Sequence, residues 1–431
     1  MMLENRRLIA TLILWCEANS RKAIENSVYF RASVALLLLV SITACSGNET
    51  DSEVAEHIQI RNEIPEHIRE VENLTIFPGD SEPVYDVELI PEVTFDDAKG
   101  PYLNRVLDAV VDDREQVIIL GTNTSYQQSL HAYSSEGAFL TVIGGRGGGP
   151  GEYGIMLGPQ VTGTKLFVPD VTNQRMNEYS TADFSVIRSI RFEQWESGSE
   201  ARFGYVYARQ DGNYWLIFSD PRSAIGQLSN RYKIMDYEGR LVQDPSLTLP
   251  AGFRIQTDPS ARPIMPLYFM GSTLEAVSRN DELYTAFTRD FLIRKYDANG
   301  IYQSAFYYPV QSLPFDLDVH TNSSPFSPSA RVIKNAFSDI DRELPETNPV
   351  LSGLMVDDEN RIWAAVPMDQ QREMFEWWIL DESGELLAKL QRSSEKTIFD
   401  IKNGYLYAKE IDEETGAEYV VKYRMEFKEP G

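Results

Sequence analysis

A strand–turn–strand unit recurs along most of the chain and constrains its fold more than any other feature. The first copy spans residues 107–120, where two aliphatic runs flank the turn residues Asp112 and Asp113. Similar units lie at 161–168, 206–218, 274–287, 354–366 and 399–408. A second hairpin follows each of these units, and two hairpins make a four-stranded sheet. The spacing therefore predicts about six such sheets and an all-β fold.

Six open sheets need neighbours, because an isolated sheet leaves an apolar face in water. Radial stacking buries both faces and leaves only short edges, so the pattern predicts a six-bladed β-propeller. A pair of β-sandwiches is the alternative. A ring must also close, and the apolar alternation at 84–90 precedes the first unit. We expect this early strand to complete the last blade as its outer member.

One interval in the repeat is about twice the usual spacing, and its excess falls at residues 310–351. This stretch is rich in Pro and Ser and then takes a helical pattern. Ser327 is a candidate N-cap before Pro328, and Pro345 is the expected stop. The apolar face of this helix would consist of Ile333, Ala336, Phe337, Ile340 and Leu344. We expect the insertion to cover part of a channel mouth and to shape a ligand site.

The N-terminal region carries a targeting signal. The apolar run 32–44 ends in Ile42-Thr43-Ala44-Cys45, which has the form of a bacterial lipobox. The run is too short to cross a bilayer as a helix, which takes about 20 residues. We therefore predict a signal peptide at 1–44 and a diacylglycerol on Cys45. The signal peptide is longer than usual, which a wrongly assigned upstream start codon would explain. An acidic tether would occupy 45–72 and the propeller 73–431.

Charge and cysteine content narrow the possible partners. The 431 residues include 40 basic and 65 acidic side chains, a formal net charge of −25. Such a chain repels phosphate backbones, so we expect no nucleic-acid partner. The two cysteines are Cys16 and Cys45, and the first precedes the predicted cleavage point. The mature chain would have no disulfide and no thiolate metal site, and we expect no cofactor.

Several motifs resemble those of a known family. The run Ile143-Gly-Gly-Arg-Gly-Gly-Gly-Pro-Gly-Glu-Tyr153 resembles the glycine-rich segment of bacterial six-bladed β-propeller lipoproteins, relatives of NHL-repeat propellers. Residues 73–79, 170–175 and 353–363 resemble other segments of that family, whereas 220–230 has no clear NHL turn. The resemblance covers roughly 72–427. It implies a propeller in the cell envelope, and Ser46 after the cysteine suggests the outer membrane.

The glycine run itself does not match a phosphate-binding loop. Pro150 stands where the dinucleotide pattern needs glycine, and no Lys-Ser or Lys-Thr follows the last glycine. We predict a tight crossing between two blades instead, formed by Arg146, Gly149, Pro150, Gly151 and Glu152, with an ion pair between Arg146 and Glu152.

Candidate ligand-binding residues are those near predicted strand ends, where a propeller opens its channel. They are Arg175, Arg289, Asp290 and Trp363. Exposed Arg and Trp favour binding, although each is more often structural. The four histidines show no metal-ligand spacing, and Asp316, Asp318, Asp339 and Asp341 fit solvated loops better than calcium ligands. We therefore expect no metal site.

These features favour a cell-envelope, lipid-anchored binding module for an unknown envelope protein or glycan. The alternative is a channel-centred hydrolase, lactonase or lyase, which normally needs a metal held by several blades.

Overall fold

The computed structural model describes residues 64–96, 103–191, 202–220, 224–243, 247–256, 265–322 and 329–430. Almost all of them belong to one unit, Pro65–Gly431. The predicted signal peptide, the predicted lipidation site Cys45 and most of the predicted tether lie outside the described residues. Within the described part of the chain, no helix has the length and apolar character needed to cross a membrane.

Two strands and a short helix precede the repeated sheets: α1 (Glu66–Arg69), β1 (Leu74–Ile76) and β2 (Asp86–Phe95). Blade 1 contains β3 (Arg105–Val111), β4 (Val117–Thr122), β5 (Gln128–Tyr133) and β6 (Phe139–Ile143). A short parallel pair follows, β7 (Gly145–Arg146) and β8 (Glu152–Tyr153). Blade 2 contains β9 (Gln160–Thr162), β10 (Lys165–Asp170), β11 (Arg175–Ser180) and β12 (Val186–Arg191).

The third blade departs from the four-stranded pattern. It contains β13 (Arg202–Ala208), β14 (Tyr214–Ser219), β15 (Gly226–Met235), β16 (Leu241–Gln243), β17 (Thr248–Ile255) and β18 (Met265–Pro266). Both β16 and β17 pair with the long strand β15. A 3₁₀ turn, Tyr268–Met270, leads to the next blade.

The remaining blades return to the regular pattern. Blade 4 contains β19 (Thr273–Val277), β20 (Leu283–Phe287), β21 (Leu292–Tyr296) and β22 (Tyr302–Tyr307), and β1 pairs in parallel with β22. The helices α2 (Leu317–Asn322) and α3 (Ala330–Asp339) follow. Blade 5 contains β23 (Gly353–Val356), β24 (Ile362–Pro367), β25 (Met374–Leu380) and β26 (Leu386–Ser393). Blade 6 contains β27 (Ile398–Lys402), β28 (Tyr405–Ile411) and β29 (Glu418–Lys428).

Each interface between blades is an apolar core, because the inner strands pack with one face toward each neighbour. One cluster joins Tyr284 and Phe306 of blade 4 to Ile362 and Trp378 of blade 5. Another joins Val117 and Tyr133 of blade 1 to Tyr407 of blade 6. Burial therefore comes from radial stacking, and the predicted six-bladed β-propeller is confirmed against the sandwich alternative.

The ring closes through the early strand, as the sequence predicted. β2 pairs antiparallel with β29, with Asp86 opposite Lys428 and Phe95 opposite Val420. The strand runs to Phe95 rather than ending at residue 90, and that extension matters for closure. Phe95 is almost fully buried and contacts the rings of Tyr133 in blade 1 and Tyr407 in blade 6. It therefore bridges the first and last blades.

The insertion differs in detail from its sequence prediction. The helix α3 begins after Ser329, whose side chain makes no cap hydrogen bond, while Ser327 and Pro328 lie outside the described residues. It ends at Asp339 instead of reaching Pro345, and Ile340 is exposed. The buried positions Ile333, Ala336 and Phe337 pack with Phe253 and Phe269 of the blade 3 extension. The extra strands thus supply the surface that covers the apolar face of this helix.

Candidate functional site

A cavity of about 560 Å³ lies at the centre of the ring. All six inner strands line it, as do the turns that follow five of them. The lining includes Val110, Gln160, Tyr207, Glu275, Met355 and Asp400. Its mouth carries Asp113, Gln210, Arg279, Asp358 and Lys402, all near the turns between the first two strands of their blades. This volume lies within the range of about 300–1,000 Å³ typical of small-molecule sites.

Backbone irregularities recur in three inner strands. The register shifts between Val106 and Asp108 in β3, between Phe203 and Tyr205 in β13, and between Ile398 and Asp400 in β27. Asp108, Tyr205 and Asp400 are each the first regularly paired residue after the shift. Bulges commonly re-aim side chains next to functional sites. A β-bulge therefore precedes each of these three polar residues.

Asp108 lies on β3 two residues before Val110 and is not among the residues that line the cavity. One carboxylate oxygen, Oδ1, accepts a hydrogen bond of 2.8 Å from the Ala109 amide. Burial raises the pKa of this carboxyl to about 7, and the charge of Asp400 adds to the effect. The group therefore titrates near neutral pH.

Asp400 has the same local geometry in blade 6, but a second bond ties it to blade 1. Its Oδ1 accepts from the Ile401 amide and its Oδ2 from the Val111 amide, both at 2.8 Å. Burial raises its pKa to about 6, while its two amide donors and Lys402 oppose that rise. The bond to Val111 satisfies a donor on the free edge of β3, which has no neighbouring strand on the channel side.

Side chains at the channel also link other blades. The Gln160 amide group donates to the Val206 carbonyl and accepts from the Ala208 amide, both at 2.7 Å. Lys402 reaches Asp113 at 2.7 Å and the Val111 carbonyl at 3.0 Å. At the rim, Arg279 approaches Asp358 at 3.6 Å. Both cations of the cavity wall are therefore paired with carboxylates.

Between blades 3 and 4, a third carboxyl, that of Glu275, accepts hydrogen bonds from uncharged donors. Glu275 accepts from the Tyr232 hydroxyl at 2.6 Å and from the Asn230 amide at 3.3 Å. Burial raises the pKa of Glu275 above its usual value. Tyr207, beside it, donates to the Glu275 carbonyl at 3.5 Å, and burial raises its pKa strongly.

A metal centre is not evident in the residues that the structure describes: no group of three or more His, Cys, Asp or Glu is placed to hold an ion. Asp316, Asp318, Asp339 and Asp341 are exposed on and beside the insertion. Asp112 and Asp357 accept backbone amides within their own turns, which gives both carboxylates a structural role.

The glycine run joins the last strand of blade 1 to the first strand of blade 2. Gly151 has φ +71°, and a Cβ there would lie 2.1 Å from Val186 Cγ2, so only glycine fits without a shift. Glu152 accepts from the Gly149 amide at 2.7 Å, and Pro150 lies between them. The expected ion pair between Arg146 and Glu152 is wrong, since it is missing from the ion pairs of the described residues and Arg146 is exposed.

Arg175 is the arginine that holds this turn. Its guanidinium donates to the carbonyls of Gly148 at 3.0 Å and Glu152 at 2.5 Å, and it lies 3.5 Å from Asp170. Only 3% of the residue is exposed. The expectation of an exposed arginine here is therefore wrong, because the carbonyls of the glycine turn need donors and this side chain supplies them.

The other predicted binding residues lie on two further blades. Trp363 is fully buried and donates to Asp357 at 2.9 Å, so its expected exposure is also wrong. Arg289 donates to the carbonyl and hydroxyl of Thr347 in the insertion, and burial lowers its pKa. Asp290 pairs with His67 at 3.0 Å. The structure does not gather the four residues into one site.

The insertion lies at the opposite end of the blades from the cavity mouth. Thr288, in the turn after β20, accepts the Val350 and Leu351 amides. The turn before β20, which carries Arg279, lines the mouth, and successive turns of an antiparallel sheet alternate between ends. None of the described residues of the insertion lines the cavity.

Sequence reasoning missed Asp108, Tyr205 and Asp400. A signal was present, because Asp108 and Asp400 both interrupt an apolar strand at the start of a repeat, as Leu107-Asp108-Ala109 and Phe399-Asp400-Ile401. A charged residue inside such a strand is costly and invites an explanation. This pattern could have indicated that Asp108 and Asp400 are unusual, but it could not have shown which residues lie near them in the fold.

Comparison with known families places the chain among propellers. Residues 61–270 match a family, DUF5128, described as a 6-bladed beta-propeller. No curated protein matches the sequence.

Several solved structures are similar at low identity. A Bacteroides fragilis protein inferred to be exported shares 14% identity over 82% of this chain and 99% of its own, with a TM-score of 0.48. A DUF4221 family member from Bacteroides vulgatus shares 13% over 80% and 99%, with a TM-score of 0.46. An inactive virginiamycin B lyase from Staphylococcus aureus with quinupristin shares 9% over 79% and 99%, at 0.35. Similarities at these levels carry no argument about function.

Proposed function

Because the chain is a six-bladed β-propeller that matches a family of that description over residues 61–270, we propose that it is a binding module whose central channel holds a small ligand. The observation that carries the proposal is the cavity of about 560 Å³, to which every blade contributes its inner strand. Its wall combines apolar side chains such as Val110 and Met355 with a few polar groups. That mixture is typical of ligand sites.

Blocking the channel should abolish binding. Thr162 lies half-buried in the cavity wall near the mouth, so Thr162→Trp should fill part of the space while leaving the blade interfaces intact. We expect compounds from a small-molecule envelope extract to be retained by the native chain, as detected by mass spectrometry, and to be lost from this variant.

The matched control is Ala138→Trp, which adds the same ring to an exposed turn of blade 1. It should bind as the native chain does. Equal retention by the channel-blocked variant, with an unchanged melting curve, would show that the ligand lies elsewhere.

We propose further that the module is a lipoprotein of the cell envelope, tethered through Cys45 and facing an envelope protein or glycan. The support is the apolar run 32–44 followed by Ile42-Thr43-Ala44-Cys45. The net charge of −25 disfavours a nucleic-acid partner. The anchor would keep the propeller outside the cytoplasm, and Ser46 favours the outer membrane.

Lipidation gives a direct test of this location. Cells that express the native chain and are fed labelled palmitate should incorporate label, and Cys45→Ala should lose all of it because the thiol is the acceptor. Cys16→Ala serves as the control and should label normally. Label that persists after Cys45→Ala would contradict the anchor.

A further inference from the structure

The three most exposed large apolar side chains of the described residues lie at one end of the propeller. They are Tyr126, Tyr268 and Ile155, which are 75%, 70% and 61% exposed. Tyr126 lies in the turn between β4 and β5, Ile155 in the connection from blade 1 to blade 2, and Tyr268 in the 3₁₀ turn before β19. The cavity mouth is formed by turns between the first two strands of the blades, and successive turns alternate between ends. All three side chains therefore lie at the end opposite the mouth, called the basal end below.

Two of these side chains belong to one surface. Gln128, two residues after Tyr126, accepts the Met156 amide at 2.7 Å and donates to the Met156 carbonyl at 3.2 Å. Ile155 precedes Met156, and its carbonyl accepts the amide of Val171, which is also exposed, at 2.9 Å. Tyr126, Ile155 and Val171 thus form a basal patch on adjoining segments of blades 1 and 2. Single exposed apolar residues are ordinary, whereas a group built from three segments indicates contact with another surface.

The turn that carries Tyr126 holds it in an unusual backbone conformation. Its φ is +57°, in the left-handed region that bulky residues rarely adopt. The Tyr126 amide donates to the Asn123 carbonyl at 2.9 Å, and Asn123 Oδ1 accepts the amides of Ser125 and Gln127 at 2.9 and 3.0 Å. A strained position that presents an exposed ring points to a role outside the fold.

Charge separates the two ends of the propeller. The segments that form the basal patch, 123–128, 153–159 and 171–174, contain no charged residue. Exposed acids occur in the turns at the mouth end, namely Asp113, Glu136, Asp183, Glu238 and Glu382. An uncharged surface can enter a lipid interface without desolvating ions, whereas the acidic turns would be repelled by anionic lipid.

The described chain also enters the propeller at the basal end. His67 of α1 lies with its Nε2 3.0 Å from Asp290 Oδ2, in the turn after β20. Thr288 of the same turn donates its amide to the Ser272 carbonyl, four residues after Tyr268. The segment before α1 therefore reaches the propeller at the basal end of blade 4, where Tyr268 also lies.

The length of that segment limits how far the basal end can be from a lipid anchor. Eighteen residues, 46–63, separate Cys45 from Ile64. A flexible linker of this length spans about 25 Å. The radius of gyration expected for a compact unit the size of Pro65–Gly431 is about 21 Å. A lipid on Cys45 would therefore keep the basal end close to the bilayer.

We propose that the basal end of the propeller lies on the membrane surface, with Tyr126, Ile155, Val171 and Tyr268 in contact with lipid. This inference rests on the proposed anchor at Cys45 and adds an orientation to it. Tyrosine suits the membrane interface because its ring is apolar while its hydroxyl stays in water.

The contact with lipid is one-sided. The basal turn of blade 6 carries the exposed carboxylates Glu413 and Glu414, which would be costly to place in lipid. Lipid contact therefore falls on the side of blades 1 to 4, where the basal patch and Tyr268 lie. The cavity mouth then opens away from the membrane, toward the envelope protein or glycan.

The test uses single fluorescent probes on the full lipidated chain, reconstituted in phosphatidylcholine vesicles with or without brominated acyl chains. In a Cys16→Ala background the Cys45 thiol carries the lipid, so a thiol-reactive bimane labels only an introduced cysteine. Tyr126→Cys and Ile155→Cys place the probe in the basal patch. Asn299→Cys is the matched control, because it places the same probe in an exposed turn at the mouth end. Melting curves check that each variant folds.

We expect brominated lipid to quench at least about half of the emission from both patch probes, because interfacial side chains lie about 5–10 Å into the headgroup and acyl boundary. The probe introduced by Asn299→Cys should not be quenched. Equal quenching at the mouth end, or none at the patch, would overturn the orientation. Patch probes that are shielded from aqueous iodide but not quenched by brominated lipid would show that a second copy covers the patch, and would overturn lipid contact too.

Palmitate labelling separates this inference from the proposed anchor. A palmitate-labelled chain whose patch probes stay unquenched would overturn the orientation alone and leave the anchor at Cys45 in place. A native chain that incorporates no palmitate would remove the anchor and the orientation together.

Discussion

Phe95→Ala is expected to lower the free energy of unfolding by about 3–5 kcal/mol, the usual cost of truncating a fully buried phenylalanine. Phe95 is 1% exposed and packs between Tyr133 of blade 1 and Tyr407 of blade 6. The cavity left behind would open the one interface where the ring is closed by a strand from the other end of the chain. Chemical denaturation monitored by tryptophan fluorescence measures this cost.

Thr94→Ala is the matched control, because Thr94 is the exposed neighbour on the same strand. It should cost less than about 0.5 kcal/mol. Deletion of 84–90 is the stronger form of the experiment, since it removes ladder partners of β29 and leaves an unpaired edge. We expect that protein to aggregate. A Phe95→Ala chain as stable as the control would contradict closure through this residue.

The second large effect is the pH dependence of the free energy of unfolding. In the unfolded chain Asp108 has an ordinary pKa of 3.8, whereas in the folded chain it is about 7. Between these values the unfolded chain releases a proton that the folded chain retains, so this group lowers stability as the pH rises from about 4 to 7. Asp400, at about 6, acts in the same direction.

Asp108→Asn removes the part of this dependence that comes from Asp108. One pKa unit corresponds to about 1.36 kcal/mol, so the difference in unfolding free energy between variant and native chain should change by about 2–4 kcal/mol in favour of the variant between pH 4 and pH 8. Urea denaturation at several pH values measures it. Glu395→Gln, which removes an exposed carboxylate from the turn after β26, should show no such slope. A constant difference across that range would mean that Asp108 titrates normally.

The sequence predicted most of the architecture, because strand pairing inside a blade is local. The turn residues Asp112 and Asp357 and the apolar runs on either side of them recur along the chain, and each of these hairpins pairs two consecutive strands. The early strand could be recognised as well, since an alternating run before the first repeat has no other partner in a closed ring.

The insertion and the candidate ligand-binding residues were predicted less well. The helix α3 packs on Phe253 of the extra strand β17 and on Phe269 of the 3₁₀ turn that follows blade 3, and no repeat pattern indicates either element. Arg175 and Trp363 look like surface binding residues in the sequence, yet both are buried with polar partners. Burial of a polar side chain depends on donors and acceptors brought by other segments, which a single strand does not reveal.

The repeat, the six sheets, the strand order of the regular blades and the closing strand follow from the sequence alone, because they depend on alternation and turn chemistry along the chain. The tertiary structure decided the channel. Asp108 and Tyr205 are far apart in sequence, yet both lie beside Gly158, and Asp400 of blade 6 accepts the Val111 amide of blade 1. Their charge states depend on the solvent that the closed ring excludes, and that exclusion exists only once all six blades are assembled.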